Sequence, residues 1–495
     1  MCPMTKFHSP KLVLLIVASH LCHFAVSADE LHVPGDYSTI QAAINAVVEG
    51  DEVVIAPGVY REALSVLSGK SLTIRSSDPS DPSVVSTTIL SGDIDDDGMG
   101  DSQILLVEMP DSSNITIEGL TFTDGFSSLN GGAIELGFTV NSQIRIEDCV
   151  FEANEAIEDG GAVYFGGRST LMLSRNTFIG NRSGSQGGAV HSFGQLDVVD
   201  RCGFYGNKSN FGILSLCGTI LSNRYPANVS NCEFVGNVLG DSSALAVCAR
   251  DIEIEGCTFA ENYAGSGEGT AVTMHLVASS FGILVASRVN ISNSIIAPRR
   301  DQLPFNSFGN IYFDVSDSIA LPFWEGARVI NADPMFVRYP SDGGDGWGDD
   351  PLTSQIDESA NDDYGDLRLK LSSPAIDAGN NDTILADILD QDADGDVDEN
   401  SPLDFLGASR QVDTPTVTDS GLGDAPLVDM GANEYQPTEC VADVNGDGQL
   451  TPADFTAWID AFNNNLPDCD QNNDATCSPA DFTAWIINYN SGCNI

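Results

Sequence analysis

The sequence feature that most constrains the fold is a short repeat centred on phenylalanine, close to C-x-F-x-x-N. Successive phenylalanines of this repeat are 29, 27, 26, 30 and 25 residues apart, and a second motif close to "GGAV" recurs between them. A period of this length, made of short apolar runs and Gly/Asn turns, predicts one coil of a β-solenoid per repeat. A single coil cannot bury its apolar side, so we expect the coils to stack about 4.8 Å apart around a shared core. The phenylalanines are Phe122, Phe151, Phe178, Phe204, Phe234 and Phe259.

The repeat also predicts columns of aligned side chains. The phenylalanines should stack inside the solenoid, and the asparagine three residues after each of the last five should be a left-handed turn residue. Cys217 and Cys248 fall in one column, where stacking brings Cα atoms within disulfide range, so a bridge and a pair of buried thiols both remain open. The asparagines are Asn154, Asn181, Asn207, Asn237 and Asn262, and a second cysteine column contains Cys149, Cys202, Cys232 and Cys257.

The N-terminal stretch predicts export followed by an end cap. Residues 1–28 have the pattern of a signal peptide, because Lys6 and Lys11 precede the apolar run "LVLLIVA" and a small-residue cleavage site lies near Ala28. That run is short for a bilayer span, so we expect a secreted or cell-surface protein that does not span a membrane. "STIQAAINAVV" then predicts a short amphipathic helix, with Ser38 as N-cap, that covers the open first coil.

The opening "VPGDYSTIQAAINAVVEGDEVVIAPGVYRE" and the repeated coils resemble the right-handed parallel β-helix of the pectin-lyase-like superfamily. The resemblance covers residues 29–340 and implies a mainly β protein, a solenoid with an N-terminal capping helix. "SSPAIDAG" and "DMGANEY" are similar to a C-terminal region that commonly follows such β-helices in secreted bacterial proteins. We therefore interpret residues 341–436 as an acidic, Asp- and Gly-rich extension of the β-helix.

Enzymes of this superfamily use recognisable side chains. Polygalacturonases use clustered Asp residues, pectinesterases use an Asp pair with Arg, and pectate lyases use a basic residue with calcium. None of these motifs is intact in the sequence, so the catalytic residues stay unknown. If the residue after each "GGAV" valine points outward, Glu135, Tyr164 and His191 form a polar and aromatic strip, continued by Ser215. Such a strip would bind an extended glycan, and an ordinary solvated face is the alternative.

The charge balance limits the partners of this chain. The sequence holds 72 Asp and Glu against 21 Lys and Arg, a formal net charge of −51. Such a chain repels nucleic acid and anionic membranes, so we expect neither as a partner. A polyanionic polysaccharide would need bridging calcium to approach. The acidity suits a protein that works with divalent cations, and calcium is the cofactor we expect.

Two acidic loops near the C-terminus match the EF-hand calcium loop. Oxygen donors occupy positions 1, 3, 5, 7 and 12 of the first loop, and Gly448 supplies the turn at position 6. The second loop has Ala475 at position 6, where positive φ is unfavourable, so this site should be weaker. The predicted ligands are Asp443, Asn445, Asp447, Gln449 and Asp454 in the first loop and Asp470, Asn472, Asp474, Thr476 and Asp481 in the second.

Each loop precedes a single helix, and the pair resembles a dockerin of type I layout, or a bacterial relative ending in Gly-Cys, over residues 437–495. The resemblance implies a docking or attachment module. Positions 10 and 11, where dockerins often carry Ser-Thr for cohesin, are Pro-Ala in both loops, which argues against a cohesin partner. The cysteines of this region permit three pairings, and relatives of this type commonly join the first to the last. The four are Cys440, Cys469, Cys477 and Cys493.

Two further loops have alternating aspartates that could ligate calcium through oxygen. Neither loop has an acidic twelfth residue, so both predictions are weaker than those for the tail, and an acidic surface loop is the alternative for each. One loop contains Asp390, Asp392, Asp394, Asp396 and Asp398, and the other contains Asp93, Asp95, Asp97 and Asp101.

Two classes of function follow. The first is a secreted or surface β-helix protein that binds glycans or adheres, attached through its calcium-dependent tail. The second is a polysaccharide-degrading enzyme, a lyase or glycoside hydrolase on the same solenoid. The missing acid–base constellation favours the first class, whereas the dockerin-like tail favours the second.

Overall fold

The computed structural model describes residues 28–67, 69–108, 113–137, 140–194, 196–217, 227–239, 243–248, 251–264, 270–275, 287–297, 303–308, 311–321, 325–344, 346–347, 361–437, 442, 444–445, 450–464, 466, 469–471 and 476–491. The predicted signal peptide lies outside these residues, except for Ala28. No helix within the described part of the chain is long and apolar enough to cross a membrane.

The repeats fold as a parallel β-helix, as the periodicity predicts. Four sheets run along it, and every pair of neighbouring strands in them is parallel. Sheet 1 contains Glu30–Val33, Glu52–Ile55, Leu72–Ser76, Ile115–Glu118, Val140–Glu147, Arg168–Ser174, Leu196–Asp200, Ala227–Ser230, Ile252–Glu255, Ser287–Ser292 and Ile311–Val315. Sheet 2 contains Gly58–Tyr60, Thr88–Ser91, Thr121–Thr123, Val150–Glu152, Thr177–Ile179, Gly203–Tyr205, Glu233–Val235, Thr258–Ala260, Ile295–Ala297 and Ile319–Ala320. Sheet 3 contains Leu64–Val66, Leu105–Val107, Ile134–Leu136, Val163–Phe165, Val190–Ser192, Leu214–Cys217, Ser243–Cys248, Thr270–His275 and Leu303–Phe308, and the short sheet 4 contains Phe126–Ser127, Glu155–Ala156, Arg182–Ser183, Lys208–Ser209, Val238–Leu239 and Tyr263–Ala264.

Helices occur at the two ends of the chain and in one connection. The predicted N-terminal helix is present, but its N-cap is Thr39 rather than Ser38, because the Thr39 hydroxyl accepts the Ala42 N–H at 3.2 Å. Ile40 and Ile44 on its apolar side are buried in the solenoid core, so the helix covers the first coil as expected. The helices are α1 (Ile40–Ala46), α2 (Pro82–Val85), α3 (Pro452–Asn464) and α4 (Pro479–Ser491), with a 3₁₀ turn at Asn381–Thr383.

The phenylalanine column forms the predicted internal stack. Each of the six rings is fully buried. Consecutive ring centroids lie 4.6 to 5.0 Å apart, and the ring planes differ by 4 to 8°. The repeat therefore places one aromatic ring on every rung of the middle of the solenoid.

The prediction that the repeat asparagines adopt a left-handed backbone is wrong. The left-handed residue is the one before each asparagine, such as Ala153 or Gly206, with φ of 55° and 60°. The asparagines instead form a buried ladder, in which each Nδ2 donates to the Oδ1 of the next asparagine at 2.8 to 3.1 Å. Each Nδ2 also donates to the carbonyl of the phenylalanine one coil earlier. A buried amide must find partners, and stacking in register supplies them to every member.

The cysteine columns also follow the repeat. Cys149, Cys202, Cys232 and Cys257 are buried free thiols in the described structure. Cys217 is disulfide-bonded, and Cys248 is its register partner on the neighbouring strand of sheet 3. The column that begins at Cys149 is therefore a thiol ladder, and of the two alternatives left open for the column of Cys217, the structure has a disulfide.

Residues 361–437, which we call the C-terminal segment, pack against the outer face of sheet 2. Within the described residues they add no strand to the four sheets, and Asp366–Leu369 pairs antiparallel with Phe336–Arg338. Apolar side chains such as Ile376 and Met430 share a buried cluster with Val235 and Ile295 of the solenoid. The segment is therefore a cover along the side of the β-helix.

We predict that Asn207→Ala will lower the free energy of unfolding by about 3 kcal/mol or more, because it leaves several buried groups without partners. Asn207 accepts two hydrogen bonds from Asn181 and donates to Phe178 and Asn237. Denaturant unfolding followed by β circular dichroism measures this. The matched control is Asn210→Ala, an exposed asparagine of the same coil, which should change stability by less than about 0.5 kcal/mol. Equal unfolding midpoints for the two variants would contradict the role of the ladder.

Candidate functional site

The predicted glycan strip on sheet 3 is aligned but only partly open. Backbone pairing places Glu135, Tyr164, His191 and Ser215 side by side on successive strands. Glu135 and Tyr164 are half-buried, whereas His191 and Ser215 are fully buried. The ring of Tyr164 stacks on that of His191 with 5.8 Å between centroids, and the rings of Phe193 and His191 pack edge to face with 4.6 Å between centroids. Burial lowers the pKa of His191 to about 4. The alternation of residues along a strand predicts which side chains point outward, but it does not show that His191 and Ser215 are buried by other residues. Glycan binding at this strip stays a prediction.

The tail region keeps the predicted loop–helix order. Helices α3 and α4 begin at position 10 of the two loops, at Pro452 and Pro479. A disulfide joins Cys469 to Cys477, which is one of the three permitted pairings. Of the predicted ligands, Asn445, Asp454, Asp470, Thr476 and Asp481 are described, while Asp443, Asp447, Gln449, Asn472 and Asp474 lie outside the described residues, as do Cys440 and Cys493.

The two acidic residues at loop position 12 have equivalent surroundings. Asp454 and Asp481 are both fully buried at the first turns of α3 and α4. The Asp454 carboxylate accepts the Thr451 N–H at 2.7 Å, and the Asp481 carboxylate accepts the Ser478 N–H at the same distance. Each carboxylate is thus held against its own loop, where a calcium loop requires an oxygen ligand. The donor chemistry fits calcium, and binding itself stays a prediction.

Two reciprocal hydrogen bonds, each from a tryptophan of one unit to a backbone carbonyl beside the loop of the other, join the two loop–helix units. The indole N–H of Trp458 in the first unit donates to the Cys469 carbonyl, just before the second loop, at 3.2 Å. The indole N–H of Trp485 in the second unit donates to the Ala442 carbonyl, just before the first loop, at 3.1 Å. Trp458, Trp485 and Ala442 are the buried members of one apolar cluster. Each helix therefore supports the loop of the other unit.

The weaker acidic loops are also brought together in part. Asp390, Asp392 and Asp394 place carboxylate oxygens within 4.8 Å of one another, and so do Asp387, Asp392 and Glu399. The sequence analysis missed Asp387 and Glu399, whereas Asp396 and Asp398, which it included, belong to neither group among the described residues. In the other loop the group consists of Asp93, Asp95 and Asp101. Calcium at these loops stays a prediction.

A polar cleft on the outer face of sheet 1 was not predicted. Its volume is about 450 Å³, and it lies between sheet 1 and the C-terminal segment. Glu253, Asn290 and Asp314 occupy the same register position on three neighbouring strands, and Asn290 Nδ2 donates to Glu253 Oε1 at 2.8 Å. Arg288 and Asp382 also line it. Burial raises the pKa of the Glu253 carboxyl.

Buried charge joins the C-terminal segment to the solenoid beside this cleft. The guanidinium of Arg410 is fully buried, 3.6 Å from Glu255 of sheet 1 and 3.5 Å from Glu434. Farther along the contact between the C-terminal segment and the solenoid, the Glu233 carboxylate accepts hydrogen bonds from the Tyr205 hydroxyl at 2.8 Å and from the Asn433 amide at 2.7 Å. Burial raises the pKa of Glu233 to about 7.

Comparisons with known proteins add little about chemistry. No family model matches the chain. The metabotropic glutamate receptor-like protein R of Dictyostelium discoideum is 27% identical over 161 residues, which are 32% of this chain and 10% of that protein. This chain therefore spans about a tenth of the length of that relative. The crystal structure of pectate lyase Pel9A aligns with 83% of this chain and 98% of its own, at a TM-score of 0.40 and 12% identity.

We predict that Asp454→Ala will abolish calcium binding by the first tail loop and melt α3, because the variant loses the carboxylate that links loop and helix. The control is Asp460→Ala, an exposed aspartate on the same helix. Tryptophan fluorescence and helical circular dichroism during a calcium titration measure the result, since Trp458 and Trp485 report on packing between the units. Chelation of the wild type should remove the same signals and leave the β signal of the solenoid. Loss of the β signal in step with the tail would contradict this independence.

We predict a pH-dependent gain in stability for Glu233→Gln. The pKa of Glu233 is about 7 in the folded protein against 4.5 as the ordinary value, so its contribution to stability is complete below about pH 4.5 and is lost as the pH rises through about 7. The glutamine resembles the protonated acid at every pH. Its free energy of unfolding relative to wild type should therefore rise between about pH 5 and about pH 8. Glu152→Gln, an exposed carboxylate on sheet 2, is the control, and a pH-independent difference for Glu233→Gln would contradict the assignment.

Proposed function

We propose that this chain is a secreted or cell-surface β-helix protein that binds a neutral glycan in the cleft on sheet 1 and is attached through its calcium-folded tail. The observation that carries the proposal is the convergence of Glu253, Asn290 and Asp314 on one polar cleft beside Arg288. Carboxylate, amide and guanidinium groups pair with sugar hydroxyls, which both donate and accept hydrogen bonds. The volume of about 450 Å³ is in the range of small-ligand sites.

The charge of the cleft favours a neutral glycan over a uronate. Among the residues that line the cleft, Arg288 is the basic side chain, and the acidic ones are Glu253, Glu255, Asp314 and Asp382. The chain as a whole carries a formal charge of −51. An anionic sugar would therefore meet repulsion both at long range and in the site, unless calcium bridged the two.

The second candidate function is glycoside hydrolysis in the same cleft. Burial raises the pKa of Glu253, and other carboxyl groups, those of Asp314 and Asp382, line the same space. A carboxyl with a raised pKa beside a second carboxyl is the arrangement of a general acid and its partner. A cleft that binds sugar through carboxylates differs from a hydrolase site mainly in the spacing and exposure of the two groups.

The tail supports attachment rather than catalysis. Its two loop–helix units share one core of aromatic side chains, and each loop is built from oxygen donors. Extracellular calcium, at about millimolar concentration, would keep even weak sites filled, so the ions would act as folding energy. Pro-Ala in both loops, where dockerins often carry Ser-Thr, leaves a partner other than cohesin as the proposed anchor.

The test is a panel of neutral and acidic polysaccharides, scored for retention and for released sugars with and without calcium. We expect the full chain to retain a neutral glycan, and Glu253→Gln or Asp314→Asn to weaken retention about tenfold, the loss of one to two hydrogen bonds. Glu118→Gln, an outward carboxylate on sheet 1 far from the cleft, is the control and should bind as the wild type does. Sugar release that both cleft variants abolish would establish the hydrolase alternative. Retention unaffected by the cleft variants, or the absence of retention and turnover, would refute both functions.

A further inference from the structure

The C-terminal segment contains a carboxylate that the protein leaves without a partner. Asp377 is fully buried, and neither of its carboxylate oxygens has a hydrogen-bond partner among the described residues. Asp413 and Asp419 approach it from a neighbouring loop, residues 412–421. One carboxylate oxygen of each of the three aspartates lies within 4.8 Å of those of the other two. The buried group therefore faces two more negative charges, and the nearby backbone N–H of Thr414 does not meet it in hydrogen-bond geometry.

This arrangement is unfavourable for an ionised carboxylate without a cation. A buried carboxylate that lacks hydrogen bonds is strongly destabilising. Burial, together with the charges of Asp419 and Asp413, raises the pKa of Asp377 to about 6, although the backbone N–H of Thr414 lowers it. A proton would satisfy one carboxylate oxygen and leave the other oxygen unpaired. The Thr414 hydroxyl in the same loop is also buried without a partner.

The backbone around the cluster is fixed independently of any ion. The Asp377 N–H donates to Asp429 Oδ1 at 2.7 Å, and its carbonyl accepts the N–H groups of Ser420 and Gly421 at 2.9 and 3.0 Å. At the other end of the loop, the Val412 N–H donates to Glu434 Oε1 at 3.1 Å. Both ends of the loop are therefore held by hydrogen bonds, and the carboxylates are held close together.

We propose that Asp377, Asp413 and Asp419 bind one Ca²⁺ ion that ties loop 412–421 to the body of the C-terminal segment. Two oxygens on one calcium, each about 2.3–2.6 Å away, can be up to about 5 Å apart, so the observed spacing admits a common ion. Magnesium requires a tighter site, with ligands at about 2.1 Å. The Thr414 hydroxyl, backbone carbonyls and water would complete the shell. The ion neutralises Asp377 and shields the repulsion among the three carboxylates.

The proposal is tested on the full chain by equilibrium dialysis with calcium alone as the probe. We expect Asp377→Asn to bind one calcium fewer per chain than the wild type at a concentration that fills the wild-type sites. The matched control is Asp424→Asn, an exposed aspartate just beyond the loop and outside the cluster, which should leave the stoichiometry unchanged. Hydrogen exchange should show residues 412–421 protected by calcium in the wild type and control, and not in Asp377→Asn.

Because Asp377 is buried, its substitution can unfold the segment and so release calcium indirectly. A second variant distinguishes loss of the site from unfolding. Asp413 and Asp419 are both exposed, so the double variant Asp413→Ala/Asp419→Ala should fold and still lose one calcium per chain. Wild-type calcium stoichiometry in this variant would overturn the proposal, and so would equal protection of the loop by magnesium at the same concentration. None of these residues belongs to the tail loops or lines the cleft on sheet 1, so glycan retention should survive in every variant.

Discussion

The asparagine ladder is the interaction on which the solenoid depends. A parallel β-helix turns its chain several times per coil, and each turn buries polar groups that the sheets do not pair. Asn154, Asn181 and Asn207 satisfy them by bonding to one another and to phenylalanine carbonyls one coil away. Because each amide serves two coils, a shift of register on any coil would break hydrogen bonds on both sides. The ladder therefore fixes the alignment of the coils from Asn154 to Asn262, the last of which carries Glu253. Backbone pairing alone continues that alignment to Asn290 and Asp314 on the next two strands.

The repeat made the fold and the inner columns predictable from sequence. It did not predict the later coils, in which other residues replace the phenylalanine. The phenylalanine stack and the alignment of the cysteines in a column were predicted directly from the spacing, whereas the free-thiol state of those cysteines was not. The cleft residues Glu253, Asn290 and Asp314 follow the same spacing, because each lies six residues before the position that stacks inside the solenoid. That position is a phenylalanine, Phe259, only in the first of these three coils, and it is Ile296 and Ala320 in the next two. Without the phenylalanine the later coils could not be aligned from sequence. The backbone of the asparagines was mispredicted because turn propensity favours Asn at positive φ, whereas burial favoured its amide as a ladder.

Contacts between distant parts of the chain lay beyond any local pattern. Asn433 bonds to Glu233 across 200 residues, and Arg410 is buried between Glu255 and Glu434. A carboxylate-rich chain can bury such groups where a guanidinium, an amide or a proton compensates each negative charge. The contact between the C-terminal segment and the solenoid uses all three. Arg410 lies between two carboxylates, Asn433 donates to Glu233, and the raised pKa of Glu233 favours its protonated form. Net charge alone, read from composition, could not distinguish these buried acids from solvated ones.

The reciprocal tryptophan contacts change what the duplicated tail loop means. If each loop folded with its own helix, the absence of a glycine at position 6 of the second loop would weaken that site alone. In the structure, Trp458 of the first unit bonds beside the second loop, and Trp485 of the second unit bonds beside the first. If the loops bind calcium as we propose, an ion in the first loop would order the helix that supports the second, and this coupling would raise the affinity of the weaker site by the folding free energy already supplied. The duplication is better understood as one cooperative module than as two independent sites of unequal strength.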